Sequence, residues 1–158
     1  KVIDLCRHAG VITAIDPKRK NFFWYKHADI FKPNLKEVKE GLNLQLGNIS
    51  QSSLQNIHKE LENILQHKIS FITLSEKGVF YQQAEKSNLI PSHLRNIADV
   101  SGAGDTVIAV AAMVYAATKN IQLMAEVANI AGGLVCEEVG TVAINKEKLF
   151  HECELLLL

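Results

Sequence analysis

Asp99-Val100-Ser101-Gly102-Ala103-Gly104-Asp105-Thr106 runs without a break into Val107-Ile108-Ala109-Val110-Ala111-Ala112-Met113-Val114. Gly102 and Gly104 flank a single alanine. The backbone here can take dihedrals that larger residues resist, and can come close to a ligand. Directly behind, the apolar residues continue as a strong helix pattern. A glycine turn that opens a helix aims unpaired N–H groups and the positive dipole end at one spot, which suits a phosphate. Asp105 falls in the first turn of that helix. An Asp there is also an ordinary capping acid, and the residues alone leave both readings open.

Working outward, the chain alternates strand and helix signals. Val2, Ile3, Leu5, Cys6 and Ala9 are spaced as a helix that stops at Gly10. Val11-Ile12-Thr13-Ala14-Ile15 reads as a short strand ending at the turn Asp16-Pro17-Lys18. Phe22-Phe23-Trp24-Tyr25 reads as aromatic packing for a loop over a sheet, with stacking on a base as the alternative. Residues 28–32 form a second strand and deliver Pro33-Asn34-Leu35-Lys36-Glu37. There Asn34 is a favoured N-cap, and Glu37 three residues later completes something close to a capping box.

From Ser50, the positions Leu54, Ile57, Leu61, Ile64 and Leu65 make the apolar stripe of an amphipathic helix. Ile69-Ser70-Phe71-Ile72-Thr73-Leu74 is a buried strand, with a hairpin partner beginning at Gly78-Val79-Phe80-Tyr81-Gln82 across the turn at Ser75. Residues 84–98 are polar and interrupted by Pro91, which predicts an irregular, strand-poor connector. After the glycine turn, one helix ends near Lys119-Asn120 and a second runs over 121–138. Asn129, Gly132 and Gly133 lie inside that second helix, where small residues allow close helix packing. No internal repeat, low-complexity tract or linker appears, so one domain is expected.

Composition excludes several classes. Lys plus Arg and Asp plus Glu both number 17 in a 158-residue chain, and no basic stripe stands out, so nucleic acid is not an expected partner. The apolar runs are broken well before membrane-spanning length, so no membrane partner is expected. Cys6, Cys136 and Cys153 are scattered and odd in number, which reads as reduced thiols in cytoplasm. The histidines form no spaced cluster with cysteines or carboxylates, so no structural zinc is expected. The chain opens on Lys1 rather than Met and closes on four leucines, and is expected to be a piece of a longer protein.

The segment from Asp99 to Thr106 resembles the C-terminal signature of the ribokinase-like (PfkB) sugar kinases. That resemblance implies an α/β fold, a ribokinase-like three-layer sandwich. It makes residues 1–158 the C-terminal, nucleotide-side half of that fold, without the N-terminal sugar-binding part and lid. Gly102, Ala103 and Gly104 would form the anion hole for the transferred phosphoryl group, and Asp105 would be the catalytic base. Asn34-x-x-Glu37 resembles the family's second signature, in which the Glu holds the hydration shell of Mg²⁺ and the Asn approaches the nucleotide phosphates. Mg²⁺ keeps several waters, so one well-placed carboxylate suffices.

By the same resemblance, Thr73 and Gly78 match the nucleotide-side motif Thr-x-Gly-x-x-Gly, with Ser75 replacing its middle glycine. Asn129 and Gly132 are candidates on the same ATP side, beside their packing reading. Asp99 and Ser101 match family positions that hold a monovalent cation, with carbonyls near Val135, Glu138 and Gly140 to complete the site. Within the family, Asp16-Pro17-Lys18 and Ser75-Glu76 resemble the kinases of heptose 7-phosphate in lipopolysaccharide-core synthesis. Lys18 would then meet a substrate phosphate, or else be a solvated basic turn.

The activity that the resemblance implies is ATP-dependent phosphorylation of a sugar or sugar-phosphate hydroxyl, with ATP, Mg²⁺ and K⁺ as cofactors and a homo-oligomer as the assembly. The isolated segment is expected to be inactive. Other PfkB-type sugar kinases, a non-catalytic nucleotide-binding module and an interaction fragment are the alternatives.

Overall fold

The computed structural model describes residues 1–45 and 49–158. The chain forms two compact units, Lys1–Ser75 with Val79–Leu89, and Glu76–Gly78 with Ile90–Leu158.

The first unit carries the sheet, in the order β1 (Ala14–Ile15), β2 (Ile30–Phe31), β3 (Ile69–Thr73), β4 (Val79–Gln83) and β5 (Lys86–Ile90). β1, β2 and β3 are parallel, with Ala14 opposite Ile30 and Ile30 opposite Ile69. β3 and β4 are antiparallel, with Phe71 opposite Tyr81. Parallel neighbours need a covered crossover, and the helices supply it. β1 returns to β2 through a 3₁₀ segment (Arg19–Trp24). β2 returns to β3 through helices α2 (Leu35–Gly41) and α3 (Gln51–Leu65). A further helix, α1 (Val2–His8), precedes the sheet.

The stripe expected from the 3.6-residue period is the one that α3 buries. Leu54, Ile57, Leu61 and Leu65 pack with Phe22, Phe31, Val38, Ile72, Leu74 and Phe80 in one core cluster. Each such side chain contributes roughly 1.5–3 kcal/mol on burial. Phe22 meets Phe23 and Phe31 edge-on, the favoured ring geometry. The aromatic run therefore packs over the sheet as expected, except at Trp24, which is 76% exposed.

The second unit is helical. Helices α4 (Ala103–Thr118) and α5 (Ile121–Cys136) pack side by side, and α6 (Lys146–Leu157) packs on α5. A Cβ on Gly132 would stand 2.6 Å from Val107 Cγ2, so this glycine lets the two helices approach. Among the described residues, no helix is long and apolar enough to cross a membrane.

Two segments differ from their sequence reading. The connector over 84–98 contains a full strand, β5, whose alternating exposed and half-buried residues read as polar because it lies at the sheet's edge. Residues 11–15 and 28–32, expected as strands, pair over only two residues each.

Candidate active site

The parallel strands end on one edge, and α/β sheets bind ligands at the carboxyl ends of their strands. At the end of β2, Pro33-Asn34 turns the chain into α2. Asn34 Oδ1 accepts from Glu37 N at 2.9 Å, and Glu37 Oε2 accepts from Asn34 N at 2.7 Å. The capping box is complete. It commits one Glu37 oxygen, while the half-buried side chain keeps Oε1 outside the box. Asn34 also lies beside Thr73 in a parallel bridge, and Thr73 N donates to Pro33 O at 3.1 Å. The structure thus brings Asn34, Glu37 and Thr73 together.

Beyond Thr73 the chain makes a 3₁₀ turn, Ser75–Lys77. Ser75 takes φ 54°, a left-handed conformation that glycine adopts freely and serine at a cost. The backbone at Ser75 is therefore the backbone a glycine would give. Gly78, at φ 94°, leaves no room for a side chain, since a Cβ would run into Ile90 O and the Pro91 backbone.

At the end of β1, Asp16 receives the buried ammonium of Lys32 at 3.1 Å and the exposed one of Lys18 at 3.7 Å. Lys18 was legible from its basic turn. Lys32 was not, because nothing in a short strand marks a lysine that points inward. Its burial puts a second positive group at the same strand edge as Asn34.

In the second unit, the glycine turn is built around Asp99. Asp99 Oδ1 accepts from Ser101 N at 2.9 Å and from Ser101 Oγ at 2.8 Å, and Oδ2 accepts from Gly140 N at 3.1 Å. These donors, the Ser101 amide first, hold the Asp99 carboxyl below its ordinary pKa. Gly102 follows at φ 79° as the N-cap of α4. A Cβ there would stand 2.7 Å from Thr141 Cγ2, so the turn tolerates only glycine on two counts. The first turn of α4 leaves the N–H groups of Gly104 and Asp105 without helical carbonyls before them.

Asp105 is exposed at this helix start. Beside it lies a cavity of about 430 Å³, lined by Gly102, Asp105, Thr106, Ala109, Val110 and the 141–144 segment. An anion seated over the turn would face backbone N–H groups, with the Asp105 carboxylate beside it.

The donor chemistry at Asp99 bears on the monovalent cation. Asp99 Oδ1 already accepts two hydrogen bonds and Oδ2 one, so it is Oδ2 that keeps a lone pair for a cation. Gly140 presents its N–H to Asp99, and Val135 O accepts from Glu138 N at 3.3 Å. Asn129 donates from Nδ2 to Pro91 O at 2.9 Å and so pins the connector onto α5. Gly132 faces Val107 across the α4–α5 contact. Among the described residues, no group of three His, Cys, Asp or Glu side chains could hold a metal. A magnesium ion here would rest on few protein ligands and on water and phosphate oxygens, which is its usual coordination.

These features meet known proteins at three levels. Residues 1–148 match the model of the pfkB family carbohydrate kinases. The chain is 33% identical over 156 residues to the bifunctional protein HldE of Campylobacter curvus, covering 99% of this chain and 32% of that protein. It therefore spans about a third of the length of such relatives. Among solved structures, phosphofructokinase-2 from Escherichia coli in complex with potassium superposes with a TM-score of 0.85 at 17% identity, over 99% of this chain and 51% of that one. Arabidopsis thaliana ribokinase complexed with ribose and ATP gives 0.81 at 18% identity, over 95% and 50%. The structural likeness establishes the ribokinase-like α/β fold. With the family match over nearly the whole chain, the glycine turn and the Asn34–Glu37 box acquire a common context: the chain belongs to the pfkB family of carbohydrate kinases.

Proposed function

We propose that these residues are the nucleotide-side, C-terminal part of a kinase that transfers the γ-phosphoryl group of ATP to a sugar or sugar-phosphate hydroxyl. The observation that carries the reading is the turn at Gly102, with Asp105 exposed beside a cavity and unpaired helix N–H groups directed at the same place. Phosphoryl transfer needs little covalent chemistry from a protein. It needs positioning, charge neutralisation and a base for the attacking hydroxyl.

In this reading the turn Gly102-Ala103-Gly104 binds the transferred group through backbone N–H donors, the Ala103 N–H turning from Val100 O, to which it donates at 3.3 Å, and Asp105 takes the hydroxyl proton. Asn34, Thr73, Ser75 and Gly78 face the nucleotide phosphates, and Asn129 and Gly132 belong to the nucleoside side. Glu37 holds a water of Mg²⁺ through its free oxygen, and the ion, when bound, neutralises phosphate charge. The carboxylate of Asp99 and the Ser101 hydroxyl fit a potassium ion beside the turn, in line with the potassium-bound phosphofructokinase-2 that shares the fold.

Within this class we assign heptose 7-phosphate as the acceptor, supported by Asp16-Pro17-Lys18 and by the similarity to HldE proteins. The cation pair Lys18 and Lys32 on Asp16 suits a phosphorylated substrate better than a neutral one. The same reading places the enzyme as a homo-oligomer in the cytoplasm, consistent with three free cysteines. It also expects the isolated 158 residues to be inactive.

The test is Asp105→Asn in the complete polypeptide that carries these residues. The amide keeps the shape, and the helix start has no side-chain cap bond to lose, so the melting temperature should stay within a few degrees. Loss of a general base should lower kcat by ~10²–10⁴. Activity within a few-fold of the parent at saturating ATP and heptose 7-phosphate would end the assignment.

A further inference from the structure

We propose that Arg95 is a positioning residue for the glycine turn, clamping the segment that leads to Asp99 onto the C-terminal end of α5 and the middle of α6. Its guanidinium is buried, with the side chain 7% exposed. Nη1 donates to Glu137 Oε1 at 3.1 Å, and Nη2 donates to Glu152 Oε2 at 2.6 Å. Glu137 also accepts from Lys148 Nζ at 3.0 Å through its other oxygen. With Glu138 accepting from Lys148 Nζ at 3.4 Å, two cations and three carboxylates thus form one network across the connector, the end of α5 and helix α6. A planar guanidinium can bridge two carboxylates in fixed geometry, which an ammonium cannot.

The packing shows that the fold makes room for this side chain. A Cβ on Gly133 of α5 would stand 2.7 Å from Arg95 Nε and 2.8 Å from Cδ. Arg95 therefore packs closely over Gly133, where any side chain would collide with it. Its Nε is buried without a hydrogen-bond partner among the described residues, so the arginine is held by its two carboxylates and by shape.

The clamp acts on the site through a short chain of contacts. Glu137 directly follows Cys136, whose carbonyl accepts from Ala98 N at 2.8 Å and Asp99 N at 3.2 Å. The ion pair and these backbone bonds thus hold the same turn of α5 against the same segment. Asp99 then orders Ser101 and Gly140. If Arg95 releases Glu137, the Ala98 and Asp99 bonds lose their support, and the donors of the turn lose their aim. Misplacing such donors slows transfer far more than it weakens binding.

The inference rests on the kinase reading only for its consequence on rate; the positioning itself is measurable without any substrate. Amide hydrogen exchange in the complete polypeptide that carries these residues, read by NMR, should be at least tenfold faster at Ala98, Asp99 and Ser101 in Arg95→Gln, with Ile69–Thr73 unchanged. Gly133→Ala, which favours the helix but crowds Arg95, should produce the same pattern, and the two changes together should add little to either alone. In the complete enzyme each variant should lower kcat at least tenfold with the KM for ATP within threefold. Faster exchange in α6 alone, with Ala98, Asp99 and Ser101 unmoved in both variants, would overturn the proposal. The expected exchange pattern in a parent that phosphorylates no sugar would uphold the positioning and sink the kinase reading instead.

Discussion

Both units bury a cation against carboxylates, Lys32 on Asp16 and Arg95 on Glu137 and Glu152, and the sheet unit adds a buried neutral cluster of histidines. In the sheet unit, His58, Ser70 and His67 sit in the interior as neutral groups. Ser70 Oγ lies 2.9 Å from His58 Nδ1 and 2.6 Å from His67 Nε2, and the far nitrogens of both rings have no hydrogen-bond partner among the described residues. In the helical unit the buried group is a cation, Arg95, balanced by Glu137 and Glu152. The first arrangement survives only while the imidazoles stay uncharged. The second survives only while the carboxylates stay charged. Both arrangements therefore hold at neutral pH and fail in acid, but through opposite ionisation logic. The sheet unit holds the largest fully buried apolar side chains, Phe31, Phe71 and Phe80.

That contrast predicts where the largest single loss of stability lies. Phe31 is fully buried on β2, edge-on to Phe22 and with its ring centroid 5.5 Å from that of His67. Phe31→Ala should cost about 3–5 kcal/mol through lost burial and the cavity left behind. The matching change on α4, Met113→Ala, removes a side chain that is 62% exposed and should stay within about 0.5 kcal/mol. Urea unfolding of both variants checks the pair. Equal losses would show that the helical unit buries this face against a surface of its own.

Legibility in the sequence divides along similar lines, between local signals and contacts made by folding. The capping box at Asn34, the stripe of α3 and the hairpin across Ser75 all depend on residues within a few positions of each other, and each stands where its local signal placed it. The glycine turn was legible because its conformation demands glycine at Gly102. The Arg95 clamp was not, because its partners Glu137 and Glu152 lie 42 and 57 residues away. Lys32 and Thr141 escape for the same reason: each acquires its role from a contact that folding makes. β5 is hidden because Lys86, Ser87 and Asn88 carry the polarity of an edge. Helix α6 is hidden because its amphipathic pattern is weak and its start signal is a single residue, Asn145, which caps it through Lys148 N.

Acid sharpens the comparison next. Burial pushes His67 from its ordinary 6.5 down to about 4, with His58 as the further cause. Burial also lowers His58, against the opposing pull of Glu62 and Glu85, with Lys59 assisting. A lowered histidine binds its proton more readily in the unfolded chain. The stability it contributes is present in full above about 6.5 and is lost as pH falls toward about 4. Linkage puts the His67 share on the order of 3 kcal/mol. Urea midpoints from about pH 7.5 to about 4.5 should fall in the parent and fall distinctly less in His67→Gln, which cannot be charged. Identical slopes in both proteins would remove the histidine pair from the account and leave carboxylate protonation as the cause.

The smallest effect on stability separates a cap from a catalytic role. Ser50 and Asn34 both begin helices of the sheet unit through reciprocal side-chain bonds. Removing either cap by substitution with Ala should cost roughly 1 kcal/mol, and on stability alone the two positions look alike. Glu37→Gln is the discriminating change. The glutamine Oε1 can still accept from Asn34 N, and Glu37 N still donates to Asn34 Oδ1, so the capping box survives and stability should move by only a few tenths of a kcal/mol. The negative charge that would hold a water of Mg²⁺ is gone. In the complete enzyme the Mg²⁺ concentration for half-maximal rate should rise at least several-fold, while Ser50→Ala leaves it unchanged. Glu37 would then be more than a cap, since a cap alone has no reason to respond to magnesium. An unaltered Mg²⁺ titration in an equally stable Glu37→Gln protein would return the residue to its structural role and leave the strand edge at Asn34 without its proposed ion.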